Sequence, residues 1–265
     1  MKSNSILSLI FLFFSSICFS EDIVPELNVQ KLADSVYLHT SYEKYNGWGV
    51  VASNGLVILD NTDAYIIDTP TSTKSTITLL NWIKKHGFKA KASISTHFHD
   101  DSTGGISYLN SESIPTYASK FTNELIEKNG REKARYTFDG TSDWLLKDQI
   151  EIYYPGAGHT KDNVVVWMPE QKILFGGCFV KPESLGNLED AVLEEWPSSA
   201  EKLMSRYGAA RIVIPGHGKA GDFTLLAKTR DLAVKGLASK LRNQSDIDSG
   251  AGSAPNEHDS KQVLP

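Results

Sequence analysis

Short apolar runs rich in β-branched residues recur along the chain, and their length and composition predict β-strands. Such a run offers side chains to the core on a repeat that suits a pleated strand. The predicted strands cover residues 49–52, 56–59, 64–67, 92–95, 150–154, 164–168, 173–175 and 211–214.

Helical periodicity appears between some of these runs. Segment 71–85 places Ile77, Leu80 and Ile83 on one helical face, and Gly87 follows as a stop signal. The same pattern recurs three times further along the chain. The predicted helices are 71–85, 119–129, 198–207 and 224–241.

The order of these elements indicates the fold class. Strand runs come first and are then mixed with helices, and this order occurs twice. It favours a four-layer αββα sandwich, although periodicity alone does not exclude a single doubly wound sheet. No linker divides the interior, so we predict one domain over residues 21–242. From about Asn243 the composition turns to Ser, Asp, Gly, Asn and Pro, which predicts a disordered tail over 243–265.

Composition and the first residues narrow the class of protein. The chain has 265 residues, of which 40% are hydrophobic, enough for one sizeable core. Its net charge of −5 argues against a nucleic-acid-binding protein. Residues 1–20 predict a secretory signal peptide, with Lys2 before the apolar stretch 6–14 and a cut before Glu21. That stretch is too short to span a bilayer, so we expect a periplasmic protein without a membrane anchor.

Cysteine usage points to chemistry. A lipoprotein role for Cys18 is disfavoured because Ile17 precedes it, so removal of the signal leaves Cys178 alone. A lone cysteine in an exported protein is a buried thiol, an intermolecular bridge or a metal ligand. Gly176 and Gly177 place Cys178 at the end of a strand-like run, which favours the ligand.

The motif His97-Phe98-His99-Asp100-Asp101 follows another predicted strand. Residues two apart in an extended segment point the same way, so His97 and His99 can face one ion. Asp101 lies past the turn and can reach a neighbouring ion.

Two more histidines stand in small-residue loops after strands, His159 in Gly158-His159-Thr160 and His217 in Gly216-His217-Gly218. Either one alone would be interpreted as an ordinary turn residue, but the repetition favours ligands. The remaining histidines lack this setting and are assigned no catalytic role: His39, His86 and His258.

The mixed set of nitrogen, oxygen and sulfur donors suits zinc. Three protein ligands with an open position form a catalytic pattern, so six ligands predict two ions. The first set is His97, His99 and His159; the second set is Asp101, Cys178 and His217. A water shared by two zinc ions becomes hydroxide near neutral pH, so hydrolysis without a side-chain nucleophile is expected.

With their neighbouring residues these motifs resemble the metallo-β-lactamases of subclass B1, most closely the imipenemase-type branch. Ser102 directly after the motif aspartate, and Cys178 in the second set, match that subclass rather than the glyoxalase II type. The resemblance runs from about 27 to 241 and rests on segments 45–51, 66–70, 97–105, 154–160 and 175–182.

The resemblance implies an αββα sandwich that hydrolyses penicillins, cephalosporins and carbapenems by attack of a zinc-bound hydroxide and confers antibiotic resistance. Asp101 and Asn187 would be catalytic, Asn187 by polarising the lactam carbonyl. Lys181 would pair with the substrate carboxylate. Trp48 would contact substrate from the mobile hairpin 42–50, and Asp68 would orient the metal ligands.

Two positions depart from the branch. Asp100 stands where a small polar residue is common, and Gly216 removes a hydroxyl that some relatives carry beside His217. Three other functions compete. They are a thioester or phosphodiester hydrolase of the wider superfamily, a non-catalytic periplasmic zinc-binding protein, and a serine β-lactamase using Ser199-x-x-Lys202, whose partner motifs are missing. A monomer is expected.

Overall fold

A computed structural model describes residues 23–248, so the predicted signal peptide and segment 249–265 lie outside the described residues. The strands are β1 (Asn28–Ala33), β2 (Val36–Tyr45), β3 (Gly49–Asp60), β4 (Asp63–Ile67), β5 (Lys89–Ile94), β6 (Thr116–Ser119), β7 (Tyr136–Phe138), β8 (Ser142–Leu146), β9 (Ile150–Tyr153), β10 (Val165–Met168), β11 (Ile173–Gly177) and β12 (Ile212–Pro215). The helices are α1 (Thr73–Lys85), α2 (Asp100–Thr103), α3 (Ile106–Ser111), α4 (Lys120–Lys128), α5 (Trp196–Arg206) and α6 (Thr224–Asp248).

The strands form two sheets. The first has seven strands in chain order from β1 to β7, antiparallel up to β4 and parallel from β4 to β7. The second has five strands in the order β12-β11-β10-β9-β8, and its β11 and β12 run parallel. The carboxyl ends of parallel strands meet at one edge of a sheet, so the loops after β11 and β12 lie side by side.

Apolar side chains fill the three interfaces between the helix and sheet layers. Leu56 and Ile94 of the first sheet pack with Val166 and Phe175 of the second in one central core. Helix α1 covers the outer face of the first sheet, and α5 and α6 cover the outer face of the second. The predicted four-layer αββα sandwich in one domain is therefore confirmed, and the doubly wound sheet is excluded.

Strand β10 shows why the strand runs are continuously apolar. Val166 and Met168 face the central core, whereas Val165 and Trp167 face the helices of the outer layer. Because a strand sends alternate side chains to opposite faces, a strand covered on both faces is apolar at every position.

Several predicted bounds are wrong. Segments 49–52 and 56–59 belong to one strand, because β2 pairs with β3 through the polar Ser53-Asn54-Gly55 break. The strand predicted at 92–95 ends at Ile94. Helix α6 continues past 241 to Asp248, into the predicted tail, because no glycine or proline interrupts residues 237–249. None of the helices within residues 23–248 is long and apolar enough to cross a membrane.

Candidate metal centre

A loop and a short helix present the first histidine motif. Strand β5 ends before the motif, and His99 adopts extended backbone as the residue preceding α2 (φ −70°, ψ 161°). Asp101 lies in the first turn of α2, so its Oδ1 reaches His97 Nε2 at 3.2 Å. The backbone is extended at His99, as predicted, and Asp101 lies past that point in a helical turn that brings it towards His97.

The neighbouring ends of β11 and β12 present Cys178 and His217. Gly216 passes so close to this corner that a Cβ there would lie 2.5 Å from Cys178 Sγ and 2.7 Å from Cys178 N. The glycine therefore allows the two backbone segments to approach each other. This close approach explains Gly216 better than the absence of a serine hydroxyl does.

The second predicted set of donors lies together. Cys178 Sγ lies 3.1 Å from Asp101 Oδ2 and 3.3 Å from His217 Nε2. Asp101 Oδ2 lies 3.0 Å from the same imidazole nitrogen. The thiol, the carboxylate and the imidazole thus converge on one point.

The first predicted set is also clustered. His99 Nδ1 lies 3.2 Å from His159 Nε2. The ring of His97 lies with its centroid 4.9 Å from that of His99 and 5.3 Å from that of His159. His97 also belongs to a donor group with His159 and Cys178, and to another with His99 and Asp101. The two sets therefore adjoin.

Unsatisfied atoms in the cluster fit a metal centre. His97 Nε2 and Asp101 Oδ1 are buried and make no hydrogen bond among the described residues, although they lie 3.2 Å apart. Buried polar atoms normally have partners, so bound metal ions would satisfy both of these atoms. Imidazole, carboxylate and thiolate are the donors that zinc accepts.

Hydrogen bonds select the nitrogen that each imidazole offers. His217 Nδ1 lies 2.8 Å from the Ala52 carbonyl oxygen, which only accepts, so Nδ1 carries the proton and Nε2 is free. The Thr96 hydroxyl donates to Asp68 Oδ2 at 2.8 Å and is 3.3 Å from His97 Nδ1. Its donor is used, so it accepts from His97 Nδ1, which again frees Nε2.

Asp68 holds the loop that carries the motif rather than touching a candidate ligand itself. Its buried carboxylate accepts from the Thr96 backbone N–H at 2.7 Å and from the Ser102 hydroxyl. Burial raises the pKa of Asp68 to about 6, although the nearby His97 and these hydrogen bonds oppose the rise. Asp68 thereby fixes both ends of the loop 96–102.

Two functional contacts escaped the sequence analysis. His99 Nε2 lies 2.9 Å from Asp190 Oδ2, a residue 91 positions away for which no local motif exists. Asp100 turns away from the cluster to pair with Arg131, which also bonds the Phe98 carbonyl and Thr103 Oγ1. The Asp100 carboxylate thus stabilises the conformation of the loop.

Charges inside the cluster shift its proton affinities. The Cys178 sulfur raises the pKa of His217 to about 11, against the effect of burial. Burial and Asp101 act to raise the pKa of the Cys178 thiol, but His217 and His97 outweigh them and hold it below its usual value. The cluster therefore favours the thiolate, which is the form that binds metals.

Lys181 and Asn187 both lie in the segment that follows β11. Lys181 is 6% exposed, and its Nζ lies over the Trp196 ring, 5.8 Å from the centroid. Burial lowers the pKa of its ammonium, against the charges of Cys178 and Asp101. Asn187 is exposed, and its Oδ1 accepts from the Glu189 backbone N–H at 3.0 Å, which leaves its amide N–H groups for another acceptor.

Trp48 lies at the tip of the hairpin between β2 and β3, beside Gly47 and Gly49, which both have positive φ. It is 62% exposed, so it does not fold back onto the core. A large apolar side chain displayed on a turn suits contact with a ligand.

Comparisons with known proteins agree with this geometry. The family model of the metallo-beta-lactamase superfamily matches residues 48–217. A "Metallo-beta-lactamase type 2" of Pseudomonas aeruginosa is 54% identical over 88% of this chain and 95% of its own length. One of Bacteroides fragilis is 34% identical over 83% of this chain and 90% of its own length.

Solved structures give the same result. The crystal structure of the DIM-1 metallo-beta-lactamase exposed to ceftazidime matches with a TM-score of 0.80 and 50% identity, covering 81% of this chain and all of that one. TMB-1 matches with a TM-score of 0.79 and 48% identity over 80% of this chain and 99% of its own.

Proposed function

Because the chain belongs to the metallo-β-lactamase superfamily, we propose that it hydrolyses the amide bond of β-lactams. The observation that carries the proposal is the convergence of six donor side chains from separate segments on one pair of adjoining clusters. Penicillins, cephalosporins and carbapenems each carry a carboxylate next to the lactam nitrogen, so we extend the proposal to all three and expect poor hydrolysis of monobactams.

The cofactor of the proposal is a pair of zinc ions. His97, His99 and His159, whose rings adjoin, would hold one ion, and Asp101, Cys178 and His217 would hold the other. Bound zinc makes a coordinated water acidic and polarises a carbonyl, which supplies both the nucleophile and charge stabilisation.

The remaining residues bind and orient the substrate. The Lys181 ammonium pairs with the substrate carboxylate. Because Lys181 is largely buried, its charge is poorly hydrated and an anion stabilises it. The Asn187 amide donates to the lactam carbonyl as negative charge develops on its oxygen. Trp48 covers the apolar side of the substrate from the hairpin tip and excludes water.

The location follows from the signal peptide proposed at residues 1–20, which would deliver the protein to the periplasm. A β-lactamase in that compartment meets the antibiotic before the antibiotic meets its target. The biological role we propose is therefore antibiotic resistance.

Steady-state hydrolysis of one member of each lactam class tests the proposal, before and after exhaustive chelation. We expect turnover to fall by at least about two orders of magnitude, since no side-chain nucleophile replaces the metal chemistry. Zinc should restore the rate, with two equivalents bound per chain by elemental analysis. Magnesium, which prefers oxygen ligands, is the matched control and should not restore it. Turnover that survives complete metal removal would contradict the proposal.

A further inference from the structure

A cavity of about 240 Å³ lies apart from the six candidate ligands, none of which contributes to its wall. It is bounded by the start of α4, the end of β7 and the loops that flank β8 and β9. Its volume suits a small molecule rather than a single water.

The cavity wall includes a carboxylate without a partner. Asp162 is 1% exposed, and neither of its carboxylate oxygens has a hydrogen-bond partner among the described residues. An isolated buried carboxylate is strongly unfavourable, so its compensation has to come from whatever occupies the space beside it. Both carboxylate oxygens are themselves covered, so the occupant compensates the charge by carrying a positive charge of its own.

Aromatic rings form much of the remaining wall. Phe138 is buried, Phe121 is 40% exposed and forms a wall that a ligand can reach, and Tyr154 completes the group. The Tyr154 hydroxyl already donates to the Lys161 carbonyl at 2.8 Å, so this residue offers its ring. Aromatic rings around a carboxylate are a recurrent means of binding organic cations.

We propose that this cavity binds a small organic ammonium ion. The ammonium group lies on the Asp162 side of the cavity and compensates that buried negative charge, and the apolar body of the ligand packs against Phe121, Phe138 and Tyr154. Lys120 also lines the cavity, but it is exposed, whereas the buried charge is negative. An anion placed beside Lys120 would meet Asp162, so the cation is the favoured occupant.

Calorimetric titration of the zinc-loaded protein with benzylammonium and with benzyl alcohol tests the proposal. The two probes share their ring and size and differ in charge. We expect benzylammonium to bind at least about tenfold more tightly, as the attraction between a cation and a buried carboxylate predicts. Asp162→Asn should abolish that preference and leave benzyl alcohol unaffected, which also separates this site from amine binding at zinc.

Two variants keep the test decisive if Asp162→Asn does not fold. Lys120→Gln removes the opposing charge at an exposed position and should tighten benzylammonium binding, whereas Phe121→Ala should weaken binding of both probes. Equal affinity for the two probes, weaker benzylammonium binding in Lys120→Gln, or a crystal structure with only water beside Asp162 would overturn the proposal.

Discussion

The unused nitrogen of each imidazole determines how the cluster is built. A carbonyl holds His217 Nδ1, a hydroxyl holds His97 Nδ1, and a carboxylate holds His99 Nε2. His99 therefore offers Nδ1, whereas His97 and His217 offer Nε2. Partners of this kind fix the ring orientation before any ion binds.

The clearest case is Asp190, whose carboxylate lies 2.9 Å from His99 Nε2. We expect Asp190→Ala to weaken zinc binding about tenfold, because His99 loses the partner that fixes its tautomer. Competition with a chromophoric chelator measures the affinity. Asp190→Asn keeps an acceptor and should lose less. Glu189→Ala, at the exposed neighbouring position, is the control, and an equal loss in that variant would contradict the role of Asp190.

Lys181 provides a second prediction about a single side chain. Lys181→Met keeps the apolar stem beside Trp196 and removes the charge. We expect KM for a carboxylate-bearing β-lactam to rise about tenfold or more, with a smaller change in kcat. The methyl ester of the same lactam should show no such rise. The exposed Lys235→Met is the matched control, and a rise in KM that is equal for the acid and the ester would argue against the ion pair.

The sequence predicted the six clustered donors because each stands in a short motif beside a strand end. Asp190 and Arg131 stand in no motif, and their partners lie 91 and 31 positions away. Only the folded chain shows that Asp100 turns to Arg131. Residues that act through another residue leave no local pattern to detect.

At the scale of elements, the loops after strands carry the site, and neighbouring elements hold those loops. Asn54, in the middle of β3, donates to the carbonyls of Pro215 at 3.0 Å and Gly218 at 2.8 Å, on either side of His217. From its composition alone, this polar segment predicts a break between two strands. Its polarity instead serves a contact with a loop 161 residues away.

Arg131 performs a similar task between α4 and α2. Arg131→Met keeps the stem and removes the donors to Asp100 and to the Phe98 carbonyl. We expect the free energy of unfolding to fall by about 1–2 kcal/mol, because hydrogen bonds that hold the motif loop are lost. Urea denaturation of the zinc-loaded protein measures it. The exposed Lys128→Met is the control. Identical urea midpoints for the two variants would contradict the role of Arg131 in holding the motif loop.

At the scale of the molecule, the site joins the two sheets. His97, His99 and Asp101 follow β5 of the first sheet, whereas His159, Cys178 and His217 follow strands of the second. The layer order was predictable because continuous apolar runs and amphipathic helices alternate along the chain. Strands β1, β6, β7 and β8 were missed because their exposed or polar positions weaken the apolar pattern. Strand β2 was anticipated only in part, through the hairpin expected at 42–50.

The stability of the whole molecule should depend on His39. This residue is fully buried, and burial lowers its pKa to about 4, against a hydrogen bond to the Asp68 carbonyl. The unfolded chain binds its proton near pH 6.5, so stability is lost as the pH falls from about 6.5 to 4, by about 3 kcal/mol. The raised pKa of the Asp68 carboxyl acts in the opposite direction over a similar range.

A comparison of His39→Gln with the unmodified protein isolates this contribution. The amide retains a donor for the Asp68 carbonyl and does not titrate. Chemical denaturation between pH 4 and 7 should give a shallower loss of stability towards acid in the variant. Parallel curves for the two proteins would show that His39 contributes nothing to the acid sensitivity.

Strand β3 begins at the tip that displays Trp48 and continues to Ala52, whose carbonyl holds His217. One strand thus connects the exposed hairpin tip with the backbone carbonyl that orients His217. We therefore expect substitutions at the tip that alter substrate preference to alter also the affinity of the proposed zinc site. Under this proposal, selection for a wider range of antibiotics also selects for or against growth at low zinc.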